Sequence, residues 1–475
     1  IWISNDIAAL ALLSFRREPD WDYLYYSFFA NGQPITKTGL MGVRRILGGQ
    51  SLCAVDGLHV DGLQTEASLL HQNHWHLFPQ YRSQPRYDIQ QASVEFAAQT
   101  QAVIAARIAL HERVVVQLSG GFDSAILLAC VRDLKAADQV LAVNYYDAGD
   151  ASDERPFAQA MADHVGVKLT MMPLSSASEA GGQVLARLAT VAWALEPSGQ
   201  SFGMRASGRI QTLADEFKAT AILTGNGGDQ VFGQFDHHVP AVDFAQDHGL
   251  VRGWLHGLWS QALASAHLNR QSVWWVVKAL MRHRRAPLGP AHHPGLAAQH
   301  LFPVTALKTS IDAISMASWQ RQFTSYPKVK QAQIQALYLA LTQYRHSQHN
   351  FSTDVIHPLM SEPLVNYALT LPSYLACHDG VSRGLARLAF QEAIPASIHR
   401  RLWKGATISF FYKALVQERA QLRDYLLSGF LAQHSFFNTE ALNQTLQRIH
   451  QLSPDELRWI LRLLDTEAWA QRWFT

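Results

Sequence analysis

Two short glycine-rich strings carry most of the chemistry this sequence could perform. The first, Val114-Val115-Val116-Gln117-Leu118-Ser119-Gly120-Gly121-Phe122-Asp123-Ser124, runs an apolar segment into Ser-Gly-Gly. Missing side chains let backbone N–H groups approach an anion closely, and a helix beginning near Asp123 turns its positive end on the same point. The result is a phosphate site built from backbone, with Leu118, Ser119, Gly120, Gly121 and Ser124 around it. Asp123 puts a carboxylate where a phosphate-bound Mg²⁺ needs a ligand. No Gly-Lys-Ser/Thr follows, so this is not a Walker loop. The second string, Ala221 to Gly233 (AILTGNGGDQVFG), repeats the layout: an apolar run, the turn Thr224-Gly225, then Asp229. Alone, such a loop is a weak signal and a plain turn is its ordinary reading. Beside the first it can bracket one nucleotide, with Asp123 and Asp229 as paired metal ligands.

Strands must deliver both loops. Val114 to Leu118, Val140 to Tyr146, Val167 to Pro173 and Thr220 to Thr224 read as buried strands. Helical periodicity runs from Asp88 to about Leu110, Asp123 to Leu134, Glu154 to Val165 and up to about Phe217. Strands alternating with helices predict an α/β fold with a doubly wound parallel sheet and ligands at its carboxyl ends. Beyond Gly233 the chain reads as mostly helical to Thr475. Residues 1 to 85 have strand-and-turn texture, with turns at Asn31-Gly32, Gly48-Gly49, Asp56-Gly57 and Asp61-Gly62. A polar stretch from Ser83 to Tyr87 reads as a linker. Ile1 is not methionine and falls in what reads as a strand, so a further N-terminal piece is expected upstream. The basic stretch Arg282-His283-Arg284-Arg285, followed by Pro287, Pro290 and Pro294, reads as an exposed loop.

With 475 residues, 48% apolar and 16% charged, the chain can bury a sizeable core in two or three compact units. A net charge of +2 with 22 uncharged histidines is no footprint for nucleic acid, and none is expected as a partner. Cys53, Cys130 and Cys377 are scattered and form no Cys-x-x-Cys pair, which suits a reducing cytoplasm. No apolar run reaches the roughly 20 residues of a membrane span, and the run Ile7 to Leu13 lacks the layout of a signal peptide.

The first string resembles the PP-loop of ATP pyrophosphatases, the adenine nucleotide alpha hydrolase-like proteins that split ATP between its α and β phosphates. The two strings together resemble the synthetase domain of the asparagine synthetase superfamily, which includes asparagine synthetases, β-lactam-forming synthetases and lasso peptide cyclases. Further segments carry the likeness. His357-Pro358-Leu359-Met360-Ser361-Glu362-Pro363-Leu364 stands where the superfamily has a Pro-Phe-Leu-Asp segment. Arg383 to Pro395 (RGLARLAFQEAIP) resembles its phosphate-facing basic helix, and Trp403-Lys404-Gly405 its catalytic-lysine segment. The resemblance implies ATP as substrate, Mg²⁺ held by Asp123 and Asp229, and nucleotide contacts from Leu118, Ser119, Gly120, Gly121, Asp123, Ser124, Thr224 and Gly225. It implies that Lys404 neutralises charge on the α-phosphate and the departing pyrophosphate, assisted by Arg383.

Asparagine synthetases carry Glu where this chain has Asn226, and β-lactam-forming synthetases a Tyr. Asn226 can orient groups by hydrogen bonds but cannot act as a base. The strings Gly225 to Gln234 and Pro358 to Val365 look most like those of microcin-type lasso peptide cyclases. That likeness implies an isopeptide-forming ligase: adenylation of an Asp or Glu side chain of a processed precursor peptide, attack by its N-terminal amine, and release of AMP and pyrophosphate. Its implied partners are the precursor peptide and a leader peptidase of the same gene cluster, with Arg282 to Arg285 either a contact for that partner or a solvated loop. On this resemblance residues 86–475 form the ATP-binding cyclase domain. Residues 1–85 are the last portion of a degenerate glutaminase-like (Ntn-type), β-rich domain. His357 and Asp354 are candidates for proton handling, beside a purely structural reading of each. An asparagine synthetase, a β-lactam-type synthetase and a catalytically dead peptide-binding scaffold stay open as alternatives.

Overall fold

The computed structural model describes residues 7–13, 17–29, 35–46, 50–54, 69–73, 88–146, 153–173, 183–189, 193–197, 205–234, 240–265, 273–274, 276–278, 281, 299–303, 326–327, 329–337, 340, 353–402, 412 and 415–475. Strands β1 (Gln50–Ala54) and β2 (Leu69–Asn73) pair antiparallel. Five more form one sheet: β3 (Val114–Gln117), β4 (Val140–Tyr146), β5 (Lys168–Pro173), β6 (Ala221–Thr224) and β7 (Asp354–Ile356). Their spatial order is β5-β4-β3-β6-β7, and every neighbouring pair is parallel. The chain steps outward from β3 to β4 and β5, then returns to the other side of β3 for β6 and β7. That is a doubly wound sheet, with its switch point between β3 and β6.

The sequence of β3 explains its central place. Val114 and Val116 face one side, with Ala142, Leu223 and the helix Phe122–Leu134; Val115 faces the other with Leu141, Val143 and Ile222, under the helix Arg205–Phe217. A strand covered on both faces reads as an unbroken apolar run rather than an alternation. Helix limits follow local chemistry. Asp88 caps the helix Ile89–Ile108, accepting from the N–H groups of Gln90 and Gln91 at 2.9 and 3.2 Å. The helix Arg155–Val165 stops at Gly166, whose φ of 67° is a left-handed stop signal.

A second core joins distant parts of the chain. Leu24 and Phe28, one helical turn apart in Trp21–Phe29, pack with Phe436, Trp459 and Leu463 of the C-terminal helical part. The segment Trp21-Asp22-Tyr23-Leu24-Tyr25-Tyr26-Ser27-Phe28-Phe29 is rich in strand-favouring aromatics, so its helical state is a departure from the expected strand texture. Tertiary burial of the i, i+4 pair overrides propensity there. The helix Pro454–Phe474 opens with a capping box between Ser453 and Glu456. Its Trp469 and Trp473, again one turn apart, both donate to the Ala194 carbonyl, at 2.7 and 2.8 Å.

The strands of the parallel sheet lie within a residue of their expected bounds, with one addition. β7 falls in a region whose pattern predicts helix. Its three residues are too few to show a period, and its Asp354-Val355-Ile356 pairs with Ala221-Ile222-Leu223 at the sheet edge. The stretch Ser83 to Tyr87, the basic residues Arg282 to Arg285, and the turns Asn31-Gly32, Gly48-Gly49, Asp56-Gly57 and Asp61-Gly62 lie outside the described residues. Among the described residues no helix is long and apolar enough to cross a membrane.

Candidate active site

β3 and β6 are paired in register, Val114 with Ala221 through Gln117 with Thr224. Both glycine loops therefore leave the sheet side by side, at the switch point where doubly wound sheets bind ligands. At the first loop, Leu118 donates its N–H to the Val143 carbonyl at 2.8 Å, and the buried Asn144 amide donates to the Leu118 carbonyl at 2.8 Å. Asn144 is a positioning residue absent from the set expected on sequence. Its one signal there is a lone amide in an otherwise apolar strand.

Gly120 has φ of 87°, and a Cβ there would stand 2.6 Å from the Glu154 carbonyl oxygen. Ser119 Oγ accepts from the Gly121 N–H at 3.1 Å and lies 3.1 Å from Ser124 Oγ, which donates to the Gly121 carbonyl at 3.0 Å. The helix Phe122–Leu134 begins after Gly121 with no side-chain cap. Its first N–H groups thus have no side-chain oxygen from the N-cap position, which leaves the helix end suited to an anion.

The second loop lies against the first. A Cβ on Gly225 would meet Ser124 N at 2.9 Å, and one on Gly228 would collide with the Asp123 side chain. Glycine at both positions allows the loops to touch, and it sets Asp123 beside Asp229. Arg383 joins the two carboxylates. Its Nε lies 2.7 Å from Asp123 Oδ1. Its Nη2 donates to Asp123 Oδ2 at 3.0 Å, to Gln234 Oε1 at 3.1 Å, and to Asp229 Oδ1. Arg383 has φ of 61° and caps the helix Gly384–Ala389, an uncommon backbone state for a residue with a Cβ. Burial pulls the Arg383 pKa down, but the charges of Asp123 and Asp229 outweigh it and hold it above its ordinary value.

Further basic groups back this centre. Arg387 lies 4.6 Å from the centre of the Phe122 ring and donates to the carbonyls of Ser382, Arg401 and His399. Burial, then repulsion from Arg383, lowers its pKa to about 10. Arg401 donates to Glu154 Oε1 at 2.6 Å, so it braces the residue that backs Gly120. Arg387 and Gln234 fall within the strings Arg383 to Pro395 and Gly225 to Gln234 but have no role assigned on sequence, and Arg401, a single arginine outside any motif, carries no spacing signal.

The remaining expected residues divide. Thr224 Oγ1 lies 2.6 Å from His357 Nδ1 and accepts from the Asn226 N–H at 3.3 Å. Asn226 is exposed at the mouth of the loop. Burial lowers the His357 pKa to about 4, so its ring is neutral near pH 7. Asp354 pairs with Ala221, the first residue of β6, so it sits at the end of the strand remote from the loops. Lys404 lies outside the described residues, as do Trp403, Ile408, Phe410 and Phe411.

The donor set suits a hard divalent cation. Two carboxylates already share one cationic nitrogen, and Mg²⁺ is commonly held by one or two carboxylates with phosphate oxygens and water completing its shell. Among the described residues there is no group of three or more His, Cys, Asp or Glu that could hold a metal without such help.

The domain is a doubly wound α/β unit whose paired glycine loops and paired carboxylates stand at the switch point, the place where such sheets take ligands. The model of the asparagine synthase family matches residues 95–473, and the chain belongs to that family. It is 25% identical over 205 residues to the glutamine-dependent NAD(+) synthetase of Xylella fastidiosa (strain Temecula1), a match covering 40% of this chain and 37% of that protein. The chain thus spans little more than a third of the length of this curated relative. Among solved structures it is similar to the U34-tRNA thiolase NcsA from Methanococcus maripaludis with its 4Fe-4S cluster. That alignment covers 55% of this chain and 82% of the other, with 14% identity and a TM-score of 0.26, too loose a superposition to bear on the fold.

Proposed function

We propose that this protein is an ATP-dependent ligase that adenylates a carboxylate and passes the acyl group to an amine. The observation carrying this reading is the in-register pair of glycine loops, which sets Asp123 and Asp229 on one cationic nitrogen of Arg383. In the reaction a carboxylate oxygen attacks the α-phosphorus of ATP. The bond from that phosphorus to the oxygen bridging to the β-phosphorus breaks, and pyrophosphate leaves. The amine then attacks the acyl carbon, AMP departs with the electrons of the acyl C–O bond, and the nitrogen gives up a proton.

The backbone of Ser119 to Asp123 holds phosphate oxygens. Asp123 and Asp229 would hold Mg²⁺, which when bound would supply positive charge against the triphosphate. Arg383 and Lys404 meet the charge that builds on the α-phosphate and the leaving group. Thr224 and the neutral His357 fix the second loop.

The substrate in this reading is a processed precursor peptide. Its Asp or Glu side chain is adenylated, and its N-terminal amine closes a macrolactam of the lasso type. Support comes from the strings Gly225 to Gln234 and Pro358 to Val365, and from Asn226 in place of a base. An N-terminal amine has a pKa of ~7.7–8.0, so roughly a tenth of it is neutral at pH 7 without help. The enzyme's larger task is positioning the two ends of one flexible chain. A leader peptidase that produces the free amine is the expected associate, in the cytoplasm where ATP is at hand.

The test incubates the full chain with ATP, Mg²⁺ and a leader-free precursor peptide and follows peptide mass. Loss of one water per peptide, dependent on ATP, is the expected result. Formation of asparagine from aspartate with ammonia or glutamine, and no change in the peptide, would replace this reading with that of an asparagine synthetase.

A further inference from the structure

We infer that the helix Leu250–Ser265 is a docking face for an anionic lipid surface, so that the protein works as a peripheral membrane enzyme. The orientation of this helix is fixed from its inner side. Gly253 lies so close to the helix Pro240–His248 that a Cβ on it would collide with Ala245. A Cβ on Gly257 would stand 2.7 Å from Val276 and 2.9 Å from Ala241. His256 stacks on Phe244 with ring centres 4.1 Å apart and planes at 6°. Beneath them Asp243 accepts from Ser373 Oγ at 2.6 Å and from the Val329 N–H at 3.0 Å, which ties the helix pair to the segment leading into Arg383.

With its glycine face turned inward, the helix presents its bulk to solvent. Val251, Leu255 and Trp259 form a stripe at four-residue spacing, opposite Gly253 and Gly257, and are 73%, 54% and 65% exposed. Trp254, on the flank of the stripe, and Trp274 and Met281, further along the chain, are exposed as well. An exposed apolar stripe of this length on a helix whose other side is rigidly seated marks an interaction surface.

Charge names the occupant. Between Asp247 and Asp312 the sequence contains no Asp or Glu, but seven Lys or Arg and four of the 13 Trp. Of these cations Arg252 and Lys278 are exposed, and the other five lie outside the described residues. A helix with Trp and Leu on its exposed face, opening a stretch of sequence that is basic and free of acids, is the pattern of a segment lying in the headgroup region, where indole rings settle and cations meet anionic lipid. The acids Asp247 and Asp379 belong to the elements packed against it. Such a face needs no spanning helix.

The test uses the full chain and sedimentation with vesicles of phosphatidylglycerol and phosphatidylethanolamine, against vesicles of phosphatidylcholine alone. The protein should pellet with the anionic vesicles, remain in solution with the neutral ones, and be partly released at about 0.5 M salt. The double variant Leu255→Glu/Trp259→Glu should lower the bound fraction about tenfold or more while its thermal unfolding stays that of the wild type. Arg252→Glu, which alters only charge, should weaken binding to a smaller degree and covers the case in which the double variant fails to fold. A wild-type chain that stays in solution with anionic vesicles, or variants that bind as well as wild type, would overturn the proposal. If the double variant instead turns a self-associated protein into a monomer in sedimentation velocity, with no vesicle binding, the face is a contact between copies and the lipid assignment falls.

Discussion

Arg383 and Arg45 each sit among acceptor oxygens brought together from distant parts of the chain, yet the two clusters differ in one physical respect. Arg45 donates to Glu196 Oε1 at 2.5 Å and to the Tyr23 hydroxyl at 2.6 Å, and Tyr23 donates in turn to Glu196 Oε2 at 3.1 Å. The Arg45 and Glu196 side chains are both only 7% exposed. Burial and the Glu196 charge push the Tyr23 phenol well above its ordinary range, so it stays a donor. At the nucleotide loops Arg383 is as deeply placed, but Asp229 is 39% exposed. One cluster is closed and one has an open side. The closed one, an ion pair bridged by a neutral phenol, joins the N-terminal segment to the chain around residue 196. The open one leaves a carboxylate within reach of solvent ions.

The largest effect should come from breaking the closed cluster. Arg45→Ala leaves Glu196 buried without its cation, and removal of one member of a buried pair costs about 3–5 kcal/mol. Thermal unfolding should show that loss equally with and without Mg²⁺. Arg383→Ala should also lower the melting temperature in the absence of metal, because Asp123 and Asp229 are then left to repel each other. Millimolar Mg²⁺ should restore most of it, since Asp229 is open to solvent. Restoration of Arg45→Ala by Mg²⁺, or none for Arg383→Ala, would erase the distinction between the two clusters.

A third substitution sharpens it on the side of chemistry. Asp123→Asn keeps the shape of the side chain against Gly228 and removes its charge. Product formation should fall about 10²–10³-fold, the usual cost of losing one preorganised group facing transition-state charge. Wild-type turnover by Asp123→Asn in steady-state assays would take Asp123 out of the proposed metal site.

A smaller effect concerns acid. His357 and His256 both have pKa values lowered to about 4, in each case first by burial. The unfolded chain takes up protons at its ordinary histidine pKa of about 6.5, so stability should fall as pH drops from about 6.5 to 4. His357 should contribute on the order of 3 kcal/mol to that fall. His357→Gln can keep a hydrogen bond to Thr224 Oγ1 without titrating, so denaturant midpoints should decline less steeply with acid. An unchanged slope would mean that His357 is protonated in the native state.

The parts of this architecture legible from sequence are those with a repeating physical cause. Val114 to Val116 and Ala221 to Leu223 are apolar because both sheet faces are covered, and glycines at 120, 225 and 228 stand where a side chain would collide. What stays hidden depends on contacts between remote residues. Nothing adjacent to Arg45 in sequence points to Glu196, and nothing near Trp21 says that Leu24 and Phe28 will meet Trp459. β7 is illegible because three edge residues have no period to read. Arg383 is expected on sequence to face phosphate, and the structure adds that it holds both carboxylates.

Cleavage of ATP between its α and β phosphates underlies every role proposed for the two glycine loops, and the nucleotide products test it most directly. The full chain, supplied with ATP, Mg²⁺ and the peptide it modifies, should release AMP and pyrophosphate in equal amounts, one of each per amide bond formed. Release of ADP and inorganic phosphate in step with the product would contradict adenylation, and with it the phosphate-binding and metal-binding roles of those loops.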